Sequence, residues 1–179
     1  MTQTGRVYGE ALYSLAREEN LADAVLSDLT ALDTAFRSEQ DFIRLLCAPN
    51  IPKEERCQIL DSSFRGKVQP YVLNFLKLLT EHGYMRQFSS CCEAYQEQYN
   101  EDHGILPVRA VTAVPLSDAM QDKLTRKLEK VTGKTVRLDC RVDPQVMGGI
   151  RLDFDGKRLD DTVQHRLEAI GSLLKNTVL

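Results

Sequence analysis

The chain has 179 residues with 42% hydrophobic and 27% charged side chains, six prolines and ten glycines, an ordinary globular composition that excludes fibrous, disordered and disulfide-dense classes. Its formal charge of −3 hides a division after Gly104: residues 1–104 carry 10 basic and 16 acidic side chains, net −6, and residues 105–179 carry 13 and 10, net +3, while eleven of the twelve Phe and Tyr precede Gly104. No apolar run approaches the roughly 20 residues a bilayer span needs, so any membrane association is expected through partners.

Up to about His103 the pattern is helical. Val7, Tyr8, Ala11, Leu12, Leu15 and Ala16 form one broad stripe at helical spacing. Val25, Leu29, Leu32 and Phe36 mark a second helix, and Phe42, Ile43, Leu45 and Leu46 a short third, ended by the prolines of Ala48-Pro49-Asn50-Ile51-Pro52. Pro52 suits the first turn of a fourth helix with Lys53, Glu54, Glu55 and Arg56 on its wet side and Ile59, Leu60 and Phe64 inside, broken by Gly66. Pro70 opens a fifth that Gly83 caps, and a sixth carries Phe88, Cys91 or Cys92, Tyr95 and Tyr99. Short connections between such helices predict an antiparallel six-helix bundle.

After Gly104 the period changes. Ile105 to Ala113 predicts a strand; Ser117 is the expected N-cap of a helix burying Met120, Leu124, Leu128 and Val131; Thr135 to Val142 alternates as a second strand. Ile150 to Phe154 predicts a third strand, and Asp155-Gly156 a hairpin into a fourth at Lys157 to Leu159. Val163, Leu167, Ile170 and Leu174 predict a closing amphipathic helix. The expected fold is α+β, mainly α: a helical bundle over 1–104 and a small α/β domain over 105–179.

Catalytic and metal motifs fail on inspection. Gly133-Lys134-Thr135 imitates the end of a phosphate-binding loop, but Leu128 stands where that loop needs glycine, and the order is helix then strand. Gly148-Gly149 suits a tight strand start better than an anion nest. His82, His103 and His165 are scattered, and Asp160 and Asp161 suit a helix start at Thr162 better than an acid/base pair. Five cysteines, with no C-x-x-C pair, argue for a reducing compartment and against structural zinc; vicinal Cys91 and Cys92 read as small buried thiols. No catalytic residue, cofactor or metal is expected.

Two features point to binding. Lys123, Arg126, Lys127 and Lys130 form a basic ridge, a solvated face that could meet an acidic partner helix. Between Tyr71 and Leu79 only Asn74 and Lys77 are polar, so the fifth helix is either wholly interior or has a second apolar face for a partner. The first helix, with small residues Gly9, Ala11 and Ala16 in its stripe, favours a groove between the two for an amphipathic helix.

These residues also resemble a family. Tyr8-Gly9-Glu10-Ala11-Leu12-Tyr13-Ser14-Leu15-Ala16, then Pro49-Asn50-Ile51-Pro52-Lys53-Glu54-Glu55, Asn74-Phe75-Leu76-Lys77-Leu78-Leu79-Thr80-Glu81-His82-Gly83, Ala113-Val114-Pro115-Leu116-Ser117, Val142-Asp143-Pro144-Gln145-Val146-Met147-Gly148-Gly149-Ile150 and Asp160-Asp161-Thr162-Val163 through Arg166-Leu167 are similar, in order, to the F-type ATP synthase delta (oligomycin-sensitivity-conferral protein) family. Gly9 replaces that family's usual alanine, implying a looser first helix; Tyr84 replaces a frequent arginine and Asp161 a usual glycine.

The resemblance implies a non-catalytic stator subunit on the cytoplasmic face of an energy-transducing membrane, attached only through its complex. It implies that the bundle binds the N-terminal helix of an alpha subunit through Tyr8, Ala11, Leu12, Leu15, Asn74 and Leu78. The second domain would face the b subunits of the peripheral stalk, with Lys123, Lys127, Val163 and Leu167 as candidates. The alternative is a nucleic-acid-binding α/β domain on a helical scaffold, using Lys123, Arg126, Lys127 and Lys130, against which stand the acidic chain and the lone aromatic beyond Gly104.

Overall fold

A computed structural model describes residues 2–146 and 148–160. The molecule is mainly helical with one four-stranded sheet. It divides into two compact units, residues 1–99 and 100–179.

Along the first unit α1 (Gln3–Glu18), α2 (Ala22–Ser38), α3 (Gln40–Leu46), α4 (Lys53–Phe64), α5 (Pro70–Glu81) and α6 (Phe88–Asp102) follow in order, with a 3₁₀ turn at Met85–Gln87 before α6 and the last turn of α6 running past the boundary at Tyr99. Thr2 caps α1, its hydroxyl accepting from the Gly5 amide at 3.1 Å. Pro70 begins α5, where its missing N–H removes nothing the first turn would have used. The apolar stripes of these helices meet in one core that includes Leu12, Ala16, Val25, Leu29, Leu46, Leu60, Leu76 and Tyr95. Phe36 lies at its centre of aromatic contact, with ring centroids 5.1 Å from Phe88, 5.7 Å from Phe42 and 6.0 Å from Phe64. The Tyr95 hydroxyl donates to the Ala22 carbonyl at 3.0 Å, so the ring is buried without an unsatisfied polar end.

Three sequence expectations change here. Gly9 does not loosen α1. It is buried where α1 meets α6, and a Cβ added there would stand 2.4 Å from the Cys91 carbonyl oxygen and 2.7 Å from the Ala94 Cβ. Gly5 one turn earlier is equally tight, at 2.6 Å from the Ser90 Oγ. The small residues Gly9 and Ala16 thus serve a contact inside the molecule, since Ala16 is also fully buried. Val7, expected in the buried stripe, is 58% exposed.

Arg56 is the third. Expected on the wet side of α4, it is buried, and its Nη1 donates to the Leu46 carbonyl at 2.9 Å, satisfying a carbonyl at the end of α3. Hydrophobic periodicity assigns a charged residue to solvent; only the neighbouring helix end supplies the reason to bury it.

In the second unit β1 (Ile105–Thr112), α7 (Asp118–Thr132), β2 (Thr135–Val142), a 3₁₀ turn at Pro144–Val146, β3 (Ile150–Phe154) and β4 (Lys157–Asp160) build a sheet of order β2-β1-β3-β4. Among the described residues the β1–α7–β2 crossover makes the one parallel pair, and β1–β3 and β3–β4 are antiparallel. Asp155 and Gly156 both take positive φ, 48° and 68°, which the tight β3–β4 hairpin requires.

Alternation gives the sheet two unlike faces. Leu106, Val108, Ala110, Val136 and Leu152 pack under Leu124 and Leu128 of α7. Across the other face the register aligns Asp139, Arg109, Asp153 and Arg158, one from each strand with charges alternating. Arg109 Nε lies 3.4 Å from Asp139, and Arg158 Nε 2.6 Å from Asp153.

α7 departs from expectation at both ends. Met120 and Val131 are 61% and 80% exposed, because only the two middle turns lie over the apolar face of the sheet. Ser117 occupies the N-cap position with extended backbone, but its side chain makes no capping bond. Asp161, Thr162 and the expected closing helix, with Val163 and Leu167, lie outside the described residues.

Candidate functional site

The apolar excess of α5 is divided between two sides of the helix. Val72, Leu73, Phe75, Leu76, Leu79 and Thr80 are buried in the bundle, while Asn74 and Leu78 are exposed and Tyr71 is half-buried. On α1 the buried face carries Leu12, Tyr13 and Ala16, and Ala11 and Leu15 look outward beside half-buried Tyr8.

These outward residues come together. Tyr8, Ala11, Leu12 and Leu15 from α1 and Tyr71, Asn74, Phe75 and Leu78 from α5 line one groove of about 450 Å³. All six groove residues anticipated from the sequence are among them. Tyr71 and Phe75 complete the wall; they sit at i and i+4 on α5, and the apolar run through Tyr71–Leu79 carried that signal. Leu15 and Leu78 are each 40% exposed, large aliphatic side chains with one side on the core and the other open. Asn74 is the single amide in the lining.

The lining contains no charged side chain. Its chemistry is burial of a complementary apolar surface, with the Tyr8 and Tyr71 hydroxyls and the Asn74 amide available to fix register. Two side chains at i, i+3 or i+4 on each of two neighbouring helices form the trough that an amphipathic helix fills with its own i, i+3, i+4 and i+7 positions.

Four of the five cysteines carry the opposite of a reactive signature. Burial pushes the Cys91 thiol up to about 11 and the Cys92 thiol higher still, and burial also raises Cys57 and Cys140, the reverse of an activated nucleophile.

The second unit has its own groove, of about 410 Å³, between the start of α7 and the end of β1. Met120, Leu124, Val114, Leu116 and Ile150 give it an apolar floor, Gly148 and Gly149 one wall, and the exposed Lys123 and Lys127 a cationic rim. Arg126 and Lys130 of the same helix are exposed and take no part in the lining. The structure therefore brings Lys123 and Lys127 together with the exposed Met120; Val163 and Leu167 lie outside the described residues.

Comparison with known proteins gives a consistent match. Residues 5–174 fit the family described as the ATP synthase delta (OSCP) subunit. The chain is 31% identical over 165 residues to the ATP synthase subunit delta of Synechococcus sp. (strain RCC307), covering 92% of this chain and 91% of that protein. It is 28% identical over 169 residues to the ATP synthase subunit delta of Chlorobium chlorochromatii (strain CaD3), covering 94% of each. A chain in the cryo-EM structure of the Toxoplasma gondii mitochondrial ATP synthase hexamer superposes with a TM-score of 0.77 at 22% identity, over 97% of this chain and 98% of that one, and shares its fold.

Proposed function

The chain belongs to the ATP synthase delta (OSCP) subunit family and is a non-catalytic stator subunit of an F-type ATP synthase, and from that premise we propose that its two units are the two ends of a clamp. The first unit, read as the six-helix bundle over 1–104, binds the N-terminal amphipathic helix of an alpha subunit in the α1/α5 groove. The second, over 105–179, faces the b subunits of the peripheral stalk.

The observation that carries this reading is the groove itself: eight residues from two helices, none charged, with Leu15 and Leu78 left partly open to water. A lone protein gains nothing from exposing them together, whereas a helix laid between α1 and α5 buries both. In a stator the joint must outlast many rotor steps, and apolar burial governs slow dissociation, with polar rim contacts setting register. For the second unit, the Lys123 and Lys127 rim above an apolar floor favours an amphipathic stalk helix with acidic flanks. The protein then sits at the membrane's cytoplasmic face through its partners; no helix among the described residues is long and apolar enough to cross a bilayer.

The test is calorimetric titration of the full chain with a synthetic peptide of the alpha-subunit N-terminus. Leu78→Asp and Ala11→Asp place a carboxylate on the groove floor at exposed positions, where they spare the core. Both variants are expected to keep the wild-type circular dichroism spectrum and lose binding by at least about a hundredfold, the range expected when a hot-spot contact is replaced by a buried unpaired charge. Unchanged affinity in both would sink the assignment of this groove.

A further inference from the structure

Tyr84 lies just beyond α5, after the Gly83 cap, and has no part in the groove lining; its backbone N–H donates to the Leu79 carbonyl at 2.7 Å, which fixes where the side chain emerges. Its ring meets the Tyr8 ring edge-on, with centroids 5.8 Å apart and planes at 62°, and stacks on the His82 ring at 6.2 Å and 17°. Tyr8 is a groove residue, and among the described residues its ring contact is with Tyr84 and its hydroxyl has no hydrogen bond. The three rings form a row at one end of the groove, and Tyr84 is 36% exposed. Edge-on and offset-stacked rings hold each other's orientation beyond simple area burial.

We propose that Tyr84 is a positioning residue for the α1/α5 groove: it holds the Tyr8 ring in place at the α5 C-terminal end, and the row Tyr8–Tyr84–His82 forms an aromatic shelf that seats the last hydrophobic side chain of the bound helix. The proposal rests on the groove reading given above. Two geometric facts favour an apolar occupant. The shelf is continuous with the apolar lining through Tyr8, and rings fixed against each other lose little rotamer freedom when a partner covers them. Tyr84 thereby acts on binding through Tyr8 and sets how far along α1 the bound helix reaches.

The experiment is titration of the full chain and its Tyr84→Ala, Tyr84→Phe and Leu78→Asp variants with the same alpha-subunit N-terminal peptide, together with the Tyr8 ring-proton NMR shifts of each free protein. Tyr84→Ala is expected to weaken binding about five- to tenfold and to move the Tyr8 ring signals, and Tyr84→Phe to restore both. A purely structural role for Tyr84 would change the melting temperature and leave affinity at saturating fold unchanged. Affinity within twofold of wild type for Tyr84→Ala, or Tyr84→Phe as weak as Tyr84→Ala, overturns the proposal. If Tyr84→Ala fails to fold, His82→Ala, which removes only the stacking partner, is expected to weaken binding about twofold and shift the Tyr8 signals less, and no change in either overturns the proposal. Loss of binding in Leu78→Asp with none in Tyr84→Ala refutes the shelf alone; indifference of Leu78→Asp refutes the groove reading itself.

Discussion

At Gly9 a single missing methyl group decides how closely two helices approach. The atom that a Cβ would meet at 2.4 Å is the Cys91 carbonyl oxygen of α6, part of a hydrogen-bonded helix backbone that cannot turn aside as a side chain could. Gly9→Ala is therefore expected to destabilise the first unit by about 1–3 kcal/mol from overpacking, offset by up to about 1 kcal/mol of better helix propensity. The urea midpoint measures the difference, and an unchanged or raised midpoint would mean that α1 and α6 separate freely. The neighbouring thiols behave as core atoms. With Cys91 raised to about 11 by burial, about one thiol in a thousand is ionised at pH 8, so native Cys91 and Cys92 should resist iodoacetamide there and react promptly in urea. Because the folded state holds the Cys91 proton more tightly than the unfolded chain, this stabilisation is complete below the ordinary thiol value near 9 and is lost as the pH rises from there through about 11. Chemical denaturation at pH 8 and pH 11 should show that fall.

The elements differ in how much of their placement periodicity could reveal. The apolar excess of α5 was legible because an amphipathic surface helix needs one stripe, and Tyr71 to Leu79 fills nearly every face; the structure divides that excess between the core and the groove. The α1 stripe was legible as a stripe but not as two jobs. Leu12 and Ala16 turn inward, Ala11 and Leu15 outward, and Gly9 meets α6, a division that depends on which helices lie beside α1. Arg56 escaped for the same reason, since its partner is the carbonyl ten residues earlier at the end of α3. On α7 the spacing of Met120, Leu124, Leu128 and Val131 is regular, yet spacing says nothing of how far the sheet beneath extends. The charged face of that sheet is a matter of register. Asp153 lies between Arg109 and Arg158 and also meets Arg151 at 3.8 Å, so Asp153→Ala breaks the row at its centre. That variant should lower the melting temperature of the second unit in dilute buffer and approach wild type in about 1 M salt, where the screening length falls to about 3 Å; a salt-independent loss would assign Asp153 a different role.

For the molecule as a whole, the charge and aromatic asymmetry of the sequence corresponds to two kinds of surface. The acidic, aromatic-rich first unit offers an uncharged groove between helices, and the mildly basic second unit an apolar groove rimmed by lysines. Two chemically distinct grooves, each within one compact unit, are what the proposed two-ended clamp requires. The measurement that tests this account most directly is photo-cross-linking in the assembled synthase, with a benzophenone amino acid replacing Leu78 and the adduct identified by mass spectrometry. An adduct with the N-terminal segment of an alpha subunit is expected, and it should be absent when that segment is deleted. An adduct with any other subunit, or one that survives the deletion, would contradict this account.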